Sequence, residues 1–230
     1  MQSNLRRRTF LPLLVIPMGC TLHPLPQLQA TQLRELNLPP IRPPATGQHW
    51  TYQVLNVYNS SLWDTVTDTI QTIQNEIVIS RTAAVRGELA SEIHSTWGYV
   101  RQESWWDTAQ AFETSLPLWP RDLTLGYTES MRSHYRAPNT SFRNTIQVHC
   151  RVHAYERIRV PAGTFDTVRI ERHVRWNGVN DQNCGRLDTL WLAPEVGHWV
   201  ARQTDGACQI SGKRFAVRED RLRWELVEWA

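Results

Sequence analysis

The residues whose types and spacing could support chemistry are two histidines in the second half of the chain. His149 and His153 lie four residues apart, a spacing at which two imidazoles on one helix can hold a metal ion. The residues around them alternate between apolar and polar, which indicates a strand, and on a strand the two side chains would lie about 13 Å apart along the chain. The sequence also lacks the common motifs of zinc sites, serine hydrolases and phosphate-binding loops. We therefore expect no metal, no cofactor and no catalytic residue, and predict that the protein is not an enzyme.

The first twenty residues predict export. Three arginines precede an uncharged apolar run, residues 9–18, which is too short to span a bilayer and is typical of a signal peptide. Four residues fit the twin-arginine export motif Arg-Arg-x-Phe-Leu: Arg7, Arg8, Phe10 and Leu11. Gly19 before Cys20 resembles a bacterial lipoprotein cleavage site, which would make Cys20 the lipidated first residue of the mature chain. The alternative is an ordinary secretory signal beside an unmodified Cys20 thiol.

The other three cysteines lie in the exported part of the chain, where disulfides form. Folding the chain about a turn at Pro194–Gly197 pairs residues whose numbers sum to about 390. This register places Cys184 one diagonal step from Cys208, close enough for a disulfide after a small adjustment. Cys150 belongs to the apolar face of another strand, so we expect it to be a buried free thiol. A bond between Cys150 and Cys184 is the main alternative.

Composition divides the chain into a signal, residues 1–19, a lipidated cysteine with a proline-rich tether, residues 20–46, and a single β domain, residues 47–230. Because proline cannot donate a ladder hydrogen bond, we expect the tether to stay out of the sheet, with at most a helical turn or two over Gln29 to Leu38. The chain has 25 Lys plus Arg against 22 Asp plus Glu, but three of the arginines are in the signal. The mature protein is therefore electrically balanced, which removes the compositional support for nucleic-acid binding.

Alternating apolar and polar residues predict an antiparallel meander. Two hairpins are clearest, one over Tyr155 to Trp176 about a Pro161–Gly163 turn and one over Leu187 to Arg202 about the Pro194–Gly197 turn. In the first hairpin, and in the predicted strand Ser141 to Val160 that leads into it, apolar residues occupy every second position from Ile146 on. This assigns one face to the core and the other to solvent.

The rest of the chain is less regular. Strands are also expected over residues 49–58, 64–79, 87–100 and 222–226. Between them, Glu103 to Phe112 carries aromatic residues at helix-like spacing and predicts a short helix or lid. The predicted fold class is mainly β: a single antiparallel, strongly curved sheet, a half-barrel or clam, with a short helix or lid.

Tryptophan is unusually frequent, with 11 residues, and tryptophan clusters mark large cores or apolar binding surfaces. Those in alternating strands are assigned to the core: Trp50, Trp176, Trp191 and Trp224. Four aromatic residues of the irregular part are candidates for a ligand or partner contact: Trp105, Trp106, Phe112 and Trp119.

Three motifs carry a resemblance to a family: Gly47 with Trp50 and Tyr52, Val-Pro-Ala-Gly-Thr-Phe at 160–165, and Leu-Trp-Leu-Ala-Pro-Glu-Val-Gly at 190–197. In these the chain resembles uncharacterised bacterial exported proteins and lipoproteins of unknown function, over roughly residues 47–229. The resemblance implies an antiparallel β clam or half-barrel, similar to LolA and LolB, and implies no catalytic residue.

These observations lead to two functional expectations. The first is a non-catalytic envelope lipoprotein that binds a lipid or other apolar ligand in the concave face of its sheet. The second is an assembly or scaffold lipoprotein that docks another envelope protein through an aromatic surface. In both, the lipid anchor holds the protein to a membrane, and Thr21 after Cys20 favours the periplasmic face of the outer membrane.

Overall fold

The computed structural model describes residues 28–35, 37–105, 108–136, 143–177, 183–209, 216–218 and 221–230, excepting the side chains at positions 105 and 108. All regular structure within these ranges is β-strand, and no helix in them is long and apolar enough to cross a membrane. The strands are β1 (Ala30–Leu33), β2 (His49–Asn56), β3 (Leu62–Ile73), β4 (Ile77–Ala83), β5 (Gly87–Thr96), β6 (Tyr99–Trp105), β7 (Thr108–Pro117), β8 (Thr128–Arg136), β9 (Arg143–Val160), β10 (Gly163–Asn177), β11 (Asn183–Ala193), β12 (His198–Gln209), β13 (Ala216–Arg218) and β14 (Leu222–Trp229).

The strands form a meander that closes on itself. From β2 to β12 each strand pairs with the next, all antiparallel, and β14 pairs with both β12 and β2. These strands make a closed 12-strand barrel, which confirms the predicted fold class and joins the two edges of the curved sheet. Around the ring, β3 lies opposite β9, and β6 lies opposite β12. We call the end with the β2–β3 and β4–β5 turns the upper end, and the end with the β9–β10 and β11–β12 turns the lower end.

Two short strands lie outside the ring. β13 pairs with the end of β12, and β1 pairs with β9 at Tyr155–Ile158, beyond Arg151, where the pairing of β9 with β8 stops. Because β1 comes from the predicted tether, the expectation that no part of residues 20–46 joins the sheet is wrong for Ala30–Leu33, and so is the helical turn expected there. This stretch contains no proline, so its N–H groups are free to bond to β9.

Both predicted hairpins, β9–β10 and β11–β12, form around the predicted turns. In the second, Cys184 lies directly opposite Cys208. The pairs beside the turn, such as Leu192 with Trp199, are one residue beyond the predicted register, and a β-bulge between Trp191 and Leu192 adds one more. The two cysteines form a disulfide, as predicted, and Cys150 is a buried free thiol.

The alternation predicted for β9 and β10 is confirmed. The inward apolar residues of β9 are buried, namely Ile146, Val148, Cys150, Val152 and Ala154. In β10, Arg172 also takes an inward position, between Ile170 and Val174, and is fully buried. A charged side chain therefore enters the interior of the barrel.

The segment predicted as a helix or lid is two strands instead. Glu103 lies in β6 and Phe112 in β7, and these strands pair with Ser104 opposite Ala109. The prediction is wrong because the segment spans two strands, separated only by residues 106–107, which lie outside the described ranges. The helix-like spacing of its aromatic residues therefore does not belong to a single element. The predicted strand 64–79 likewise divides into β3 and β4.

The core is rich in aromatic rings. Trp50 and Trp191 are buried as predicted, whereas Trp176 and Trp224 are half-buried and pack against the core from its edge. Trp199 joins them, stacked on Tyr52 with ring centroids 4.1 Å apart.

Candidate functional site

Charged side chains meet inside the barrel in a group that we call the central ion network. Its members come from four strands and none is more than 8% exposed: Glu103 on β6, Arg172 on β10, Arg186 and Asp188 on β11, and Arg202 on β12. Each lies at an inward position of its strand, so the alternation of the backbone directs all of them to the same space.

Glu103 joins opposite walls of the barrel. Its carboxylate accepts a hydrogen bond from Arg172 Nη2 at 2.8 Å and another from Arg202 Nη2 at 2.7 Å. Since β6 and β12 lie on opposite sides of the ring, the second bond crosses the barrel. Asp188 completes the network by accepting bonds from Arg186 Nε at 2.6 Å and Arg172 Nη1 at 2.9 Å. At this level the two walls are in direct contact, and ionic groups occupy the interior.

The arginines keep both carboxylates ionised. Burial alone would raise the pKa of Asp188, but the guanidinium groups of Arg186, Arg202 and Arg172 lower it overall. Burial acts in the same direction on the pKa of Glu103, and Arg172 with Arg202 again outweighs it. Carboxylates held in this way exchange no proton near neutral pH, so the network is suited to hold the walls together rather than to perform acid–base chemistry.

A second buried polar group surrounds His198 on β12. The hydroxyl of Tyr52 donates to the carbonyl oxygen of Trp199 at 3.0 Å, and accepts from His198 Nδ1 at 2.8 Å. Burial lowers the pKa of His198 to about 3, so its ring is neutral. Trp50 stacks on the same ring with centroids 4.6 Å apart. Among the described residues, no three His, Cys, Asp or Glu side chains are grouped so that they could hold a metal ion.

Of the aromatic residues predicted to contact a ligand or partner, two lie in the core. Phe112 is 2% exposed and Trp119 is 3% exposed, with the Trp119 ring packed edge-on against Trp97. Their strand and loop positions face inward, so neither side chain is available to a partner at the surface, and a ligand contact at these residues stays a prediction. The side chain of Trp105 and all of Trp106 lie outside the described residues, as do Cys20 and the export motif.

Exposed apolar side chains gather instead at the upper end. We call four of them the hairpin-tip surface: Tyr58, Leu62, Trp63 and Val85, which are 63%, 61%, 45% and 79% exposed. The first three belong to the β2–β3 hairpin and the last to the β4–β5 turn, and β3 pairs with β4, so the two tips are neighbours. Single exposed apolar residues are ordinary, whereas a neighbouring group of them is a candidate for an interaction site.

Asp64 fixes the two tips relative to each other. This buried carboxylate accepts hydrogen bonds from the Val85 N–H and from Arg86 Nε, each at 3.0 Å, and from the N–H of Thr65 at 2.8 Å. Burial acts to raise the pKa of Asp64, but the bonds from Val85, Arg86 and Thr65 lower it overall. The hairpin-tip surface therefore rests on a buried ionic support.

Sequence reasoning missed both features. A signal for the network was present, since Arg172 falls at an inward position of a correctly predicted strand. The signal for the hairpin-tip surface was the run of Tyr58, Leu62 and Trp63 around a polar turn. An apolar residue beside a turn can be covered or exposed, and only the fold decides which.

A solved structure shares this fold. The chain matches a predicted lipoprotein from Parabacteroides distasonis ATCC 8503 with a TM-score of 0.52 and 12% sequence identity, over 82% of this chain and 97% of that chain. It also matches a predicted exported protein with a YmcC-like fold from Bacteroides fragilis NCTC 9343, with a TM-score of 0.48 and 14% identity, over 83% and 98% of the two chains. No protein-family model matches the sequence, and no curated protein is significantly similar to it. At this level of identity, the first match establishes a common fold.

Proposed function

We propose that this chain is a non-catalytic exported lipoprotein that docks another envelope protein through the hairpin-tip surface. The observation that carries the docking function is the group of exposed apolar side chains on two adjoining hairpin tips. The signal at residues 1–19 and the position of Cys20 support export and a lipid anchor, and Thr21 supports the periplasmic face of the outer membrane.

The interior of the barrel gives little support to the alternative, an apolar ligand in the concave face of the sheet. Glu103, Arg172 and Arg202 occupy the middle of the barrel and bond across it. An acyl chain in the same place would have to separate these ions. Leaving these three charges buried without partners, at about 3–5 kcal/mol each, costs about 9–15 kcal/mol, which offsets the roughly 12 kcal/mol gained by burying an acyl chain of about 15 CH₂ groups.

The occupant we propose for the hairpin-tip surface is a protein rather than the anchoring membrane. The tether joins the barrel through β1, which pairs with β9, and β3 lies on the opposite side of the ring. The chain from Cys20 to Leu28 can span at most about 28 Å. A lipid on Cys20 therefore holds the β9 side near the bilayer, and the hairpin-tip surface faces away from it.

Site-specific photo-crosslinking in the native envelope tests this function. A photoreactive phenylalanine derivative replaces Trp63, Val85 or, as a matched control, Val227, which is 40% exposed on β14. We expect positions 63 and 85 to capture the same envelope protein and position 227 to capture none. The captured protein, once purified, should bind the chain at least tenfold more weakly when Tyr58→Ser and Leu62→Ser are combined, because apolar anchors carry most interface affinity.

Three results would contradict the proposal. The first is crosslinking to lipid or to a second copy of this chain at positions 63 and 85. The second is equal capture at position 227. The third is unchanged affinity of the captured protein for the Tyr58→Ser, Leu62→Ser variant, provided that circular dichroism shows the variant to be folded.

A further inference from the structure

The outer wall formed by β8, β9 and β10 carries a group of basic residues that the docking function does not use. We call it the basic wall: Arg132 on β8, His149 and Arg151 on β9, and His173 and Arg175 on β10. All five lie at outward positions of strands whose intervening residues point into the barrel.

The strand register brings these residues together. Gln147 of β9 lies between Arg132 of β8 and Arg175 of β10, since it is the register partner of both. One step further along β9 on the same face, His149 lies beside His173, with ring centroids 6.5 Å apart. Residues paired across neighbouring strands have Cβ atoms about 5 Å apart. The guanidinium and imidazole groups therefore share a compact patch of the wall.

The arginines of the basic wall have no ion-pair partner among the described residues. In the ranges that the structure describes, Arg132, Arg151 and Arg175 take part in no ion pair, whereas Arg157, further along β9, is bonded to Asp166 at 2.6 Å. The acid nearest to the patch is Glu171, the register partner of Arg151, and it lies 3.4 Å from His153 and 3.9 Å from Arg169. An unpaired group of cations on a sheet face is complementary to an anionic surface.

The position of the tether indicates which anionic surface this is. β1 pairs with Tyr155–Ile158 of β9, the strand that also carries His149 and Arg151. Arg151 lies about 13 Å from Tyr155 along this strand. A lipid on Cys20 would hold this side of the barrel against the bilayer. We infer that the basic wall lies on the membrane and binds the phosphate groups of anionic lipids, which orients the hairpin-tip surface outward. This inference rests on the lipid anchor of the proposed function but not on the docking partner.

Vesicle co-sedimentation of the mature chain carrying Cys20→Ser tests the inference without the lipid anchor. Vesicles of phosphatidylethanolamine with phosphatidylglycerol are compared with vesicles of phosphatidylcholine. We expect binding to the anionic vesicles only, weakened by 0.5 M NaCl because salt screens exposed charges. Combining Arg132→Ser with Arg175→Ser should weaken binding by about 25-fold, since each basic residue near an anionic surface contributes about a fivefold factor in affinity.

A matched double variant separates the patch from the total charge. Arg101→Ser with Arg218→Ser removes two charges from strands outside the basic wall, at a half-buried position on β6 and an exposed one on β13, and should leave binding nearly unchanged. Equal binding to both kinds of vesicle, binding to neither, or equal loss in the two double variants would overturn the inference. None of these results affects protein capture at position 63, so the docking function is tested independently of this inference.

Discussion

Replacing Glu103 by Gln tests whether the central ion network holds the barrel together. The Glu103 carboxylate accepts three hydrogen bonds, at 2.7 Å from Arg202 and at 2.8 and 3.2 Å from Arg172. The network has three guanidinium groups, including Arg186, and two carboxylates, so its formal charge is +1 and becomes +2 in the variant. The amide of Gln also turns its NH₂ group toward a guanidinium, where two donors face each other.

The expected effect is large because the site is buried. Removing one partner of a buried ion pair costs about 3–5 kcal/mol, and in a chain of this size each kcal/mol lowers Tm by roughly 2–4 °C. We therefore expect Glu103→Gln to lower Tm by roughly 6–20 °C, measured by near-ultraviolet circular dichroism with the disulfide intact. The expected loss of stability depends on burial, so the control is the same substitution at an exposed glutamate, Glu113→Gln.

Glu113 makes the same kind of contacts at the surface. It accepts two bonds at 2.7 Å from Arg143 and one at 3.3 Å from Arg136, and these arginines lower its pKa to about 2. Exposed pairs contribute little to stability, so the Tm of the Glu113→Gln variant should match that of the unaltered protein. Equal Tm values for the two variants would refute the assignment of the network as the tie between the walls.

Three further predictions concern the rest of the barrel. Burial lowers the pKa of His198 to about 3 in the folded protein, whereas in the unfolded chain the ring binds a proton below about pH 6.5. The contribution of this ring to the free energy of unfolding should therefore be fully present above pH 6.5 and fall by about 1.4 kcal/mol per pH unit toward pH 3. His198→Gln should flatten this dependence in urea titrations at pH 7.5 and pH 5, and an unchanged slope would contradict the buried neutral ring. Gly98→Ala should lower Tm more than Gly87→Ala: both glycines have positive φ, at +87° and +76°, but only at position 98 would the added methyl group meet an indole ring. Equal losses would show that this contact has no effect. Replacing Cys184 and Cys208 by Ser opens a loop of sequence separation 24 and should cost on the order of 3 kcal/mol in urea unfolding; a peptide map of the unreduced chain without a fragment joining the two would contradict the bond.

The parts of the fold that could be predicted from the sequence depend on local patterns. The β9–β10 hairpin could be predicted because Pro161 and Gly163 define the turn and the alternation of apolar and polar residues continues for many residues on both sides. The Cys184–Cys208 bond could be predicted because a short hairpin fixes the pairing register of its two strands to within a residue or two. The bulge after Trp191 supplies one of the two residues of shift that make the pairing direct instead of diagonal, and the alternation of the sequence does not reveal it.

The features that could not be predicted depend on residues far apart in the sequence. Arg172 is a charge at an inward position, but its partner Glu103 lies 69 residues away, in a segment whose aromatic spacing imitates a helix. A pairing of that kind appears only when the barrel closes. The burial of Phe112 and Trp119 could not be predicted for a related reason, because the walls that cover them come from distant parts of the sequence.

Native mass spectrometry of the purified mature chain tests the central claim most directly, namely that the barrel has a filled interior and acts through its outer surface. The account predicts the mass of the polypeptide with its lipid on Cys20, one disulfide and a free Cys150, and no further apolar molecule bound, after gentle extraction from the envelope. A lipid or other apolar molecule bound in one-to-one ratio, and lost in the folded Glu103→Gln variant, would contradict it by placing the ligand where the ion network is described.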